Sequence, residues 1–446
     1  MTNPWTERFC ELDAEGVAAR FERRPPPVDP KLYNNRHALF SATKAALDSI
    51  AIATPQTVRA CARVYAQSAM HAYSVYTDEK AFLRNCYRNE GPELPENTFP
   101  ICLTGLAGIG KSTLLRRLPS VLPEQSSVAV DRGAKAFPLI ASWHLSVKEL
   151  RTLKAMLQHL IRQSGATPSG KTVDELTRQC RRVAYQCGIS MLTVDELQFL
   201  TKSANATAKI YEIVYGLMAI GLPITISANY SLLHKLKTRR NSEDKQRLFS
   251  DTQIILPEPL DSDDWASIVE GIRAISPSMF VFKAESNAKT LHNWTAGTPR
   301  LLSQLIQIGI EQSPYTTPRI GMDELLLAFE SAQYSVNRDD VAIINRQFAT
   351  GIKVRDDLWC PVSIPESVDA AHRAEAKESA RAEIAAKAIE NSLTQGQLDL
   401  LNHFRAQVRS NDSDSNVVPI GEKGKPTLQD FDEGEELLEK IRGSRR

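Results

Sequence analysis

The sequence predicts an α/β fold: a parallel sheet of about five strands with helices on both faces, then a helical lid, flanked by helical N-terminal and C-terminal extensions. Short apolar runs at 101–104, 137–143, 189–194, 224–227 and 253–256 alternate with helical patterns at 111–118, 147–163, 173–186, 206–219 and 230–236. Apolar runs of strand length, separated by helices, are what a parallel sheet covered on both faces requires. After Pro257 the strand-like runs stop, and helical patterns continue at 262–274, 284–294, 300–311 and 322–334.

Ahead of the sheet, a Pro cluster at 25–30 sets off a short arm, and the Ala-rich stretch 36–88 reads as two or three helices, the clearest at 56–76. Beyond about 361, residues 370–392 are polar and strongly helix-prone, while 410–416 and the acidic end 429–446 have the composition of segments that are flexible or order on binding. No internal repeat is present.

With 446 residues, two or three folding units are expected. Lys plus Arg total 54 against 53 Asp plus Glu, so no global polycation advertises nucleic-acid binding. A DNA contact would have to come from a local basic surface, or from subunits pooling modest patches. The odd count of seven Cys, without a C-x-x-C pair, argues for reduced thiols and against a zinc site or disulfide frame. The first thirty residues lack an apolar signal core, and no run approaches eighteen apolar residues. A cytoplasmic protein without a membrane span is expected.

The chemistry is concentrated after the run 101–104. Gly105, Leu106, Ala107, Gly108, Ile109, Gly110, Lys111 and Ser112 spell G-x-x-x-x-G-K-S between a strand and a helix. Glycines let backbone N–H groups wrap a phosphate, and the helix start adds a favourable dipole. Lys111 would reach the β- and γ-phosphates of ATP, the Ser112 hydroxyl would ligate Mg²⁺, and Thr113 follows at the helix start. A glycine-rich turn matching by chance would lack that strand and helix.

A second element, Asp195-Glu196, closes the run 189–194. An apolar strand ending in Asp-Glu completes a hydrolytic site: Asp195 would hold the Mg²⁺ shell and Glu196 would polarise the attacking water. A phosphoryl-transferring kinase needs no such second carboxylate. Alone, the pair could equally cap a surface helix. Asn229, at the end of the 224–227 run, would orient the water from the neighbouring strand tip, or serve as a helix cap. Arg300, at the start of a lid helix, would touch the γ-phosphate, or be an ordinary surface arginine. Arg239, Arg240 and Arg247 are candidates for an arginine finger into a neighbouring subunit, or are simply solvated. The expected division is an N-terminal partner-binding extension (1–90), a nucleotide-binding core (91–260), a helical lid and extension (261–355) and a partner-binding tail (356–446).

With these landmarks in place the chain resembles the AAA+ P-loop NTPases, and among them the regulators of heteromeric DNA transposition, the TnsC and TniB proteins, with the phage ATPase MuB more distant. Three stretches carry the resemblance: VDELQFLTK (194–202), with Gln198 after the Asp-Glu; GLPITISANYSLLHKLKTRR (221–240); and GTPRLLSQLIQIGIEQ (297–312). In place of the Gly-Thr of many TnsC-type proteins stands Ala228-Asn229, and Asn is chemically adequate for the same task. The resemblance covers roughly 90–355.

What the resemblance implies is a switch. ATP-bound subunits assemble head to tail on duplex DNA without sequence preference, as a homo-oligomeric ring or helical filament, and link a target-selector protein to the transposase; hydrolysis releases them. A head-to-tail interface generates rings or open helices. Between 145 and 186, eight Lys or Arg stand against three acids. Lys148, Arg151 and Lys154, at i, i+3 and i+6 of the expected helix, would contact phosphates, or be a solvated face. The alternatives are an initiator-like DNA-loading ATPase, which a C-terminal winged helix would support, and a signalling NTPase that switches protein partners without meeting DNA.

Overall fold

The computed structural model describes residues 3–86, 99–129, 136–148, 150, 152–202, 206–237, 247–313 and 318–364, with 374 and 377. The expected tail elements at 370–392, 410–416 and 429–446 lie outside the described residues, save for those last two positions.

Five strands form one parallel sheet: β1 (Ile101–Gly105), β4 (Ser142–Ser146), β5 (Met191–Asp195), β6 (Ile224–Asn229) and β7 (Asp251–Ile255), in the order β4-β5-β6-β1-β7. The expected strand at 137–143 is in fact two. Strand β3 (Phe137–Leu139) pairs antiparallel with β2 (Ser126–Val128) in a separate ribbon, and the sheet resumes at Ser142. Pro138 cannot donate to a ladder, which suits it to such a two-stranded edge.

Between the strands run α6 (Lys111–Val121), α7 (Leu153–Gln163), α8 (Val173–Gln186), α9 (Ala206–Met218) and α10 (Tyr230–Lys237). Helix α8 begins with a capping box in which Thr172 and Glu175 satisfy each other's backbone N–H. The expected helix at 147–163 begins only at Leu153, because Thr152 accepts from Ala155 N–H as its N-cap. Upstream, pairing of Ser146 with Asp195 keeps the chain extended. Lys148 therefore lies in the turn after β4, not on a helix face with Lys154, and Arg151 lies outside the described residues. The expected row of three cations on one helix does not form.

Alternation along the strands separates two cores. Ile101 and Leu103 of β1 face α6 and the N-terminal helices, while Cys102 faces the opposite layer with Leu192, Val194, Ile224 and Ile226. The N-terminal region has no core of its own. It comprises α1 (Pro4–Glu7), α2 (Ala14–Phe21), α3 (Arg36–Ser49), α4 (Pro55–Val75) and α5 (Glu79–Cys86), with a 3-10 turn at Pro30–Asn34. Trp5, Phe21, Val64 and Phe82 join the sheet's first core. Leu39 and Leu47 of α3 instead join the lid.

Two polar ties reinforce this. The Arg117 guanidinium on α6 donates to the carbonyls of Phe21 (2.8 Å) and Arg20 (3.0 Å), so the helix after the phosphate loop caps α2. The Gln56 amide pairs with the Leu256 backbone, accepting from its N–H at 2.9 Å and donating to its carbonyl at 3.3 Å.

The lid consists of α11 (Asp263–Arg273), α12 (Ala284–Thr295), α13 (Pro299–Gln312), α14 (Met322–Glu330) and α15 (Ser335–Thr350). Trp265 is fully buried among them, its indole N–H on the Ala288 carbonyl at 2.8 Å. No helix among the described residues is long and apolar enough to cross a membrane.

The packing of α4 creates a pH liability. His71 is 5% exposed and its Nε2 has no hydrogen-bond partner. Burial lowers its pKa from 6.5 to about 4. Between those values the unfolded chain binds a proton that the folded chain refuses, so stability is lost as pH falls through that window. Urea midpoints should therefore drop between pH 6.5 and 4, and His71→Leu should flatten the drop. An unchanged acid slope in the variant would locate the sensitivity elsewhere.

Candidate functional site

The site forms where the C-terminal ends of β1, β5 and β6 meet the lid. Gly105 pairs with Asn229, and Val194 pairs with Ile226, so Asp195, Ser227, Asn229 and the start of the phosphate loop share one edge of the sheet. A cleft of about 590 Å³ opens there, lined by the loop from Ala107 to Thr113, Glu196, Gln198, Asn229 and Arg300. Sequence positions spread over some 190 residues thus converge.

The loop is tight for a stated reason. A Cβ on Gly105 would stand 2.4 Å from the Ile255 carbonyl, and one on Gly108, at φ +86°, would stand 2.7 Å from Arg300 Cβ. Only glycine allows both the conformation and the close approach of the lid. The Arg300 N–H reaches the Gly108 carbonyl at 3.4 Å, so the loop and α13 touch directly.

Lys111 is 6% exposed, and its ammonium donates to the carbonyls of Gly105 (2.9 Å) and Leu106 (2.7 Å). Burial lowers its pKa to about 8, against the opposing pull of Asp195 and Glu196. A buried ammonium held by loop carbonyls is poised to take an anionic partner, which compensates its desolvation better than neutral oxygens do.

Asp195 is buried, and its Oδ1 accepts from the Ser227 hydroxyl and from the Glu196 N–H at 2.9 Å. That N–H also reaches Ser227 Oγ at 3.2 Å. Glu196 adopts φ +65°, a left-handed conformation that is strained for a side chain with a Cβ. Its Oε1 lies 3.5 Å from Ser112 Oγ, and its Oε2 accepts from Gln198 Nε2 at 2.6 Å. Burial and then Asp195 raise the Glu196 pKa; Lys111, Arg300 and Lys148 oppose the rise. A carboxylate of raised pKa is a better proton acceptor once ionised.

The oxygen donors fit Mg²⁺: the Ser112 hydroxyl and the Asp195 carboxylate are hard ligands on facing elements. Among the described residues no three His, Cys, Asp or Glu side chains cluster as a metal cage. A Mg²⁺ here would share its shell with phosphate oxygens and water, as that ion usually does.

Of the residues singled out in the sequence, the loop, Asp195, Glu196, Asn229 and Arg300 are brought together. Lys148, exposed in the turn after β4, stands within electrostatic reach of Glu196, and Lys154 is exposed on α7. Arg239 and Arg240 lie outside the described residues, and Arg247 is exposed just before β7.

Two contributions escaped sequence reasoning. One is Ser227, which ties Asp195 to the Glu196 backbone. The other is the apolar end of the cleft, where Phe21, Ile50 and Ile52 from the N-terminal region face Ile268 and Ile272 from the lid. The Thr54-Pro55-Gln56-Thr57 capping box was the one local signal marking that segment.

Lys111→Ala should reduce nucleotide affinity by about 100-fold or more, since two charge-assisted contacts are lost. Glu196→Gln should keep nucleotide binding and lower hydrolysis by about 10²–10⁴-fold, the usual worth of a general base. Arg300→Ala should lower turnover more than affinity. Equilibrium binding of a fluorescent ATP analogue together with phosphate release checks all three. Tight binding by the Lys111 variant would remove the assignment.

A family model described as an AAA domain matches residues 97–236. No curated protein matches the chain. Among solved structures it is similar to the Aeropyrum pernix Orc1 protein in complex with DNA, at 18% identity and a TM-score of 0.40, over 66% of this chain and 67% of that one. It is similar to Cdc6p from Pyrobaculum aerophilum, at 15% identity and TM-score 0.34, over 52% and 58% of the two chains. Domain III of the Thermotoga maritima replication initiation protein DnaA is 15% identical with TM-score 0.35, over 68% of this chain and 97% of that one. The matched segment holds the phosphate loop, Asp195-Glu196 and Asn229, and the chain carries an AAA domain with the AAA+ P-loop fold.

Proposed function

We propose that this protein is an ATP-dependent, DNA-binding AAA+ regulator of transposition: it binds and hydrolyses ATP with Mg²⁺, assembles on duplex DNA in the ATP state, and links a target selector to a transposase. The observation that carries the nucleotide part is the convergence of Lys111, Ser112, Asp195, Glu196 and Arg300 on one cleft. Lys111 and the loop N–H groups bind the phosphates, and Ser112 and Asp195 hold the metal shell. Mg²⁺, when bound, neutralises phosphate charge and orients the transferred group. Glu196 takes the proton of the attacking water, while Asn229 fixes that water from the adjoining strand tip. Arg300 brings a lid charge to the phosphate end, so the lid's position depends on what occupies the cleft.

The transposition reading is supported by the stretches 194–202, 221–240 and 297–312, whose described parts are the end of β5 with its following turn, β6 with α10, and the whole of α13. DNA binding requires assembly. A subunit of net charge +1 cannot bind a polyanion tightly alone, whereas repeated basic patches release many counterions. Lys154 on α7 is retained as a phosphate contact; Lys148, in the turn after β4, adds a charge within electrostatic reach of Glu196.

With a slowly hydrolysed ATP analogue the protein should bind duplex DNA irrespective of sequence. Log affinity should fall against log salt with a slope of about −0.9 per phosphate neutralised. Electron microscopy should show rings or filaments on the DNA, and Lys111→Ala should show neither. Absence of ATP-dependent DNA binding at low salt would turn the assignment to an NTPase that switches protein partners. DNA assemblies that never alter transposase recruitment would turn it to an initiator-like loader.

A further inference from the structure

Gln198 is a polar side chain of the 194–202 stretch to which the hydrolytic scheme gives no task. It lies half-buried in the turn after β5 and lines the cleft. The backbone beneath it is well fixed: the Glu196 N–H is held by Asp195 and Ser227, and the Phe199 N–H returns to the Glu196 carbonyl at 3.0 Å. The Glu196 side chain, in contrast, has three torsions of its own, and a fixed backbone does not decide which carboxylate oxygen faces the phosphate loop. The 2.6 Å bond from Gln198 Nε2 to Oε2 does. Because an ionised carboxylate only accepts, the amide must present its NH₂ group to it. Oε1 is left turned toward Ser112 at the start of α6.

We propose that Gln198 is a positioning residue for hydrolysis, holding one oxygen of Glu196 so that the other meets the attacking water. Water adds to the γ-phosphorus as the bond to the β–γ bridging oxygen breaks. The water proton passes to Glu196 Oε1, and ADP and phosphate leave. Gln198 acts through its bond to Glu196. The proposal rests on the reading of Glu196 as the hydrolytic base.

The test compares Gln198→Met and Gln198→Leu, both near the original size and neither able to donate to an ionised Glu196. The expected result is a kcat lower by about 10- to 100-fold, the scale of a misplaced catalytic group, with KM for ATP held within about threefold. In a Glu196→Gln background, Gln198→Met should cause no further loss in single-turnover hydrolysis, since the group it orients is gone. A kcat within about twofold of wild type overturns the proposal, as does an equal fractional loss in the Glu196→Gln background, which marks a structural role. ATP affinity of each variant, measured by fluorescence titration, guards against misfolding: a loss of turnover that merely follows lost binding also counts against it. If Glu196→Gln itself binds ATP and turns over normally, the reading of Glu196 has failed, and the proposal falls with it.

Discussion

In the parallel pairing of β1 with β6, Gly105 stands opposite Asn229, and in that of β6 with β5, Val194 stands opposite Ile226. This register places the phosphate loop, the Asp195 carboxylate and the Asn229 amide at the same edge of the sheet. A slip of one residue would turn every side chain of a strand to the other face, so the same burial that holds Leu192 and Val194 in their core also holds Asp195 at the cleft. Ser227 then converts alignment into attachment, bridging the Asp195 carboxylate and the next backbone N–H. The left-handed turn at Glu196 is tolerated because both neighbouring groups are tied down.

The electrostatics follow from the same geometry. Two carboxylates and a buried ammonium share a small space. Burial dominates for both Lys111 and Glu196, pushing each toward its neutral form, while their mutual attraction works the other way. Arg300, from the lid, and Lys148, from the turn after β4, also oppose the rise at Glu196, so charges from three separate elements act on that one carboxylate.

How much of this was legible in the sequence depended on range. The loop 105–112 and the pair Asp195-Glu196 are contiguous patterns at strand ends, so their chemistry could be read directly. Strands β1, β5, β6 and β7 were legible because apolar runs cover most of each, whereas β4, from Ser142 to Ser146, alternates polar and apolar residues and was caught only at its first two positions. The turn holding Lys148 was not, since 147–152 continues into a helical pattern and only the Thr152 cap marks the true start. Ser127 and Pro138, paired in the β2–β3 ribbon, carry too little apolar signal to announce a strand. Ser227 and Gln56 act on residues 31 and 200 positions away, and no periodicity encodes such contacts. The resemblance pointed to Gln198 without saying what it touches; the hydrogen bond to Glu196 supplies that.

The N-terminal region divides its loyalties: α2 and α4 are packed against the sheet, α3 against the lid, and the few residues between α3 and α4 pass along the apolar wall of the cleft. The lid is therefore tethered to the sheet from both sides, by this crossing and by the chain from β7 to α11. Any rotation that brings Arg300 toward or away from the phosphate loop would strain those two short crossings and the packing of Val341 and Ile344 on the first core. The geometry is that of a torsion gauge: α3 is packed on the lid while Arg117 ties α2 to the phosphate-loop helix. Occupancy of a buried cleft would thereby become a change of angle between two helices at the molecular surface.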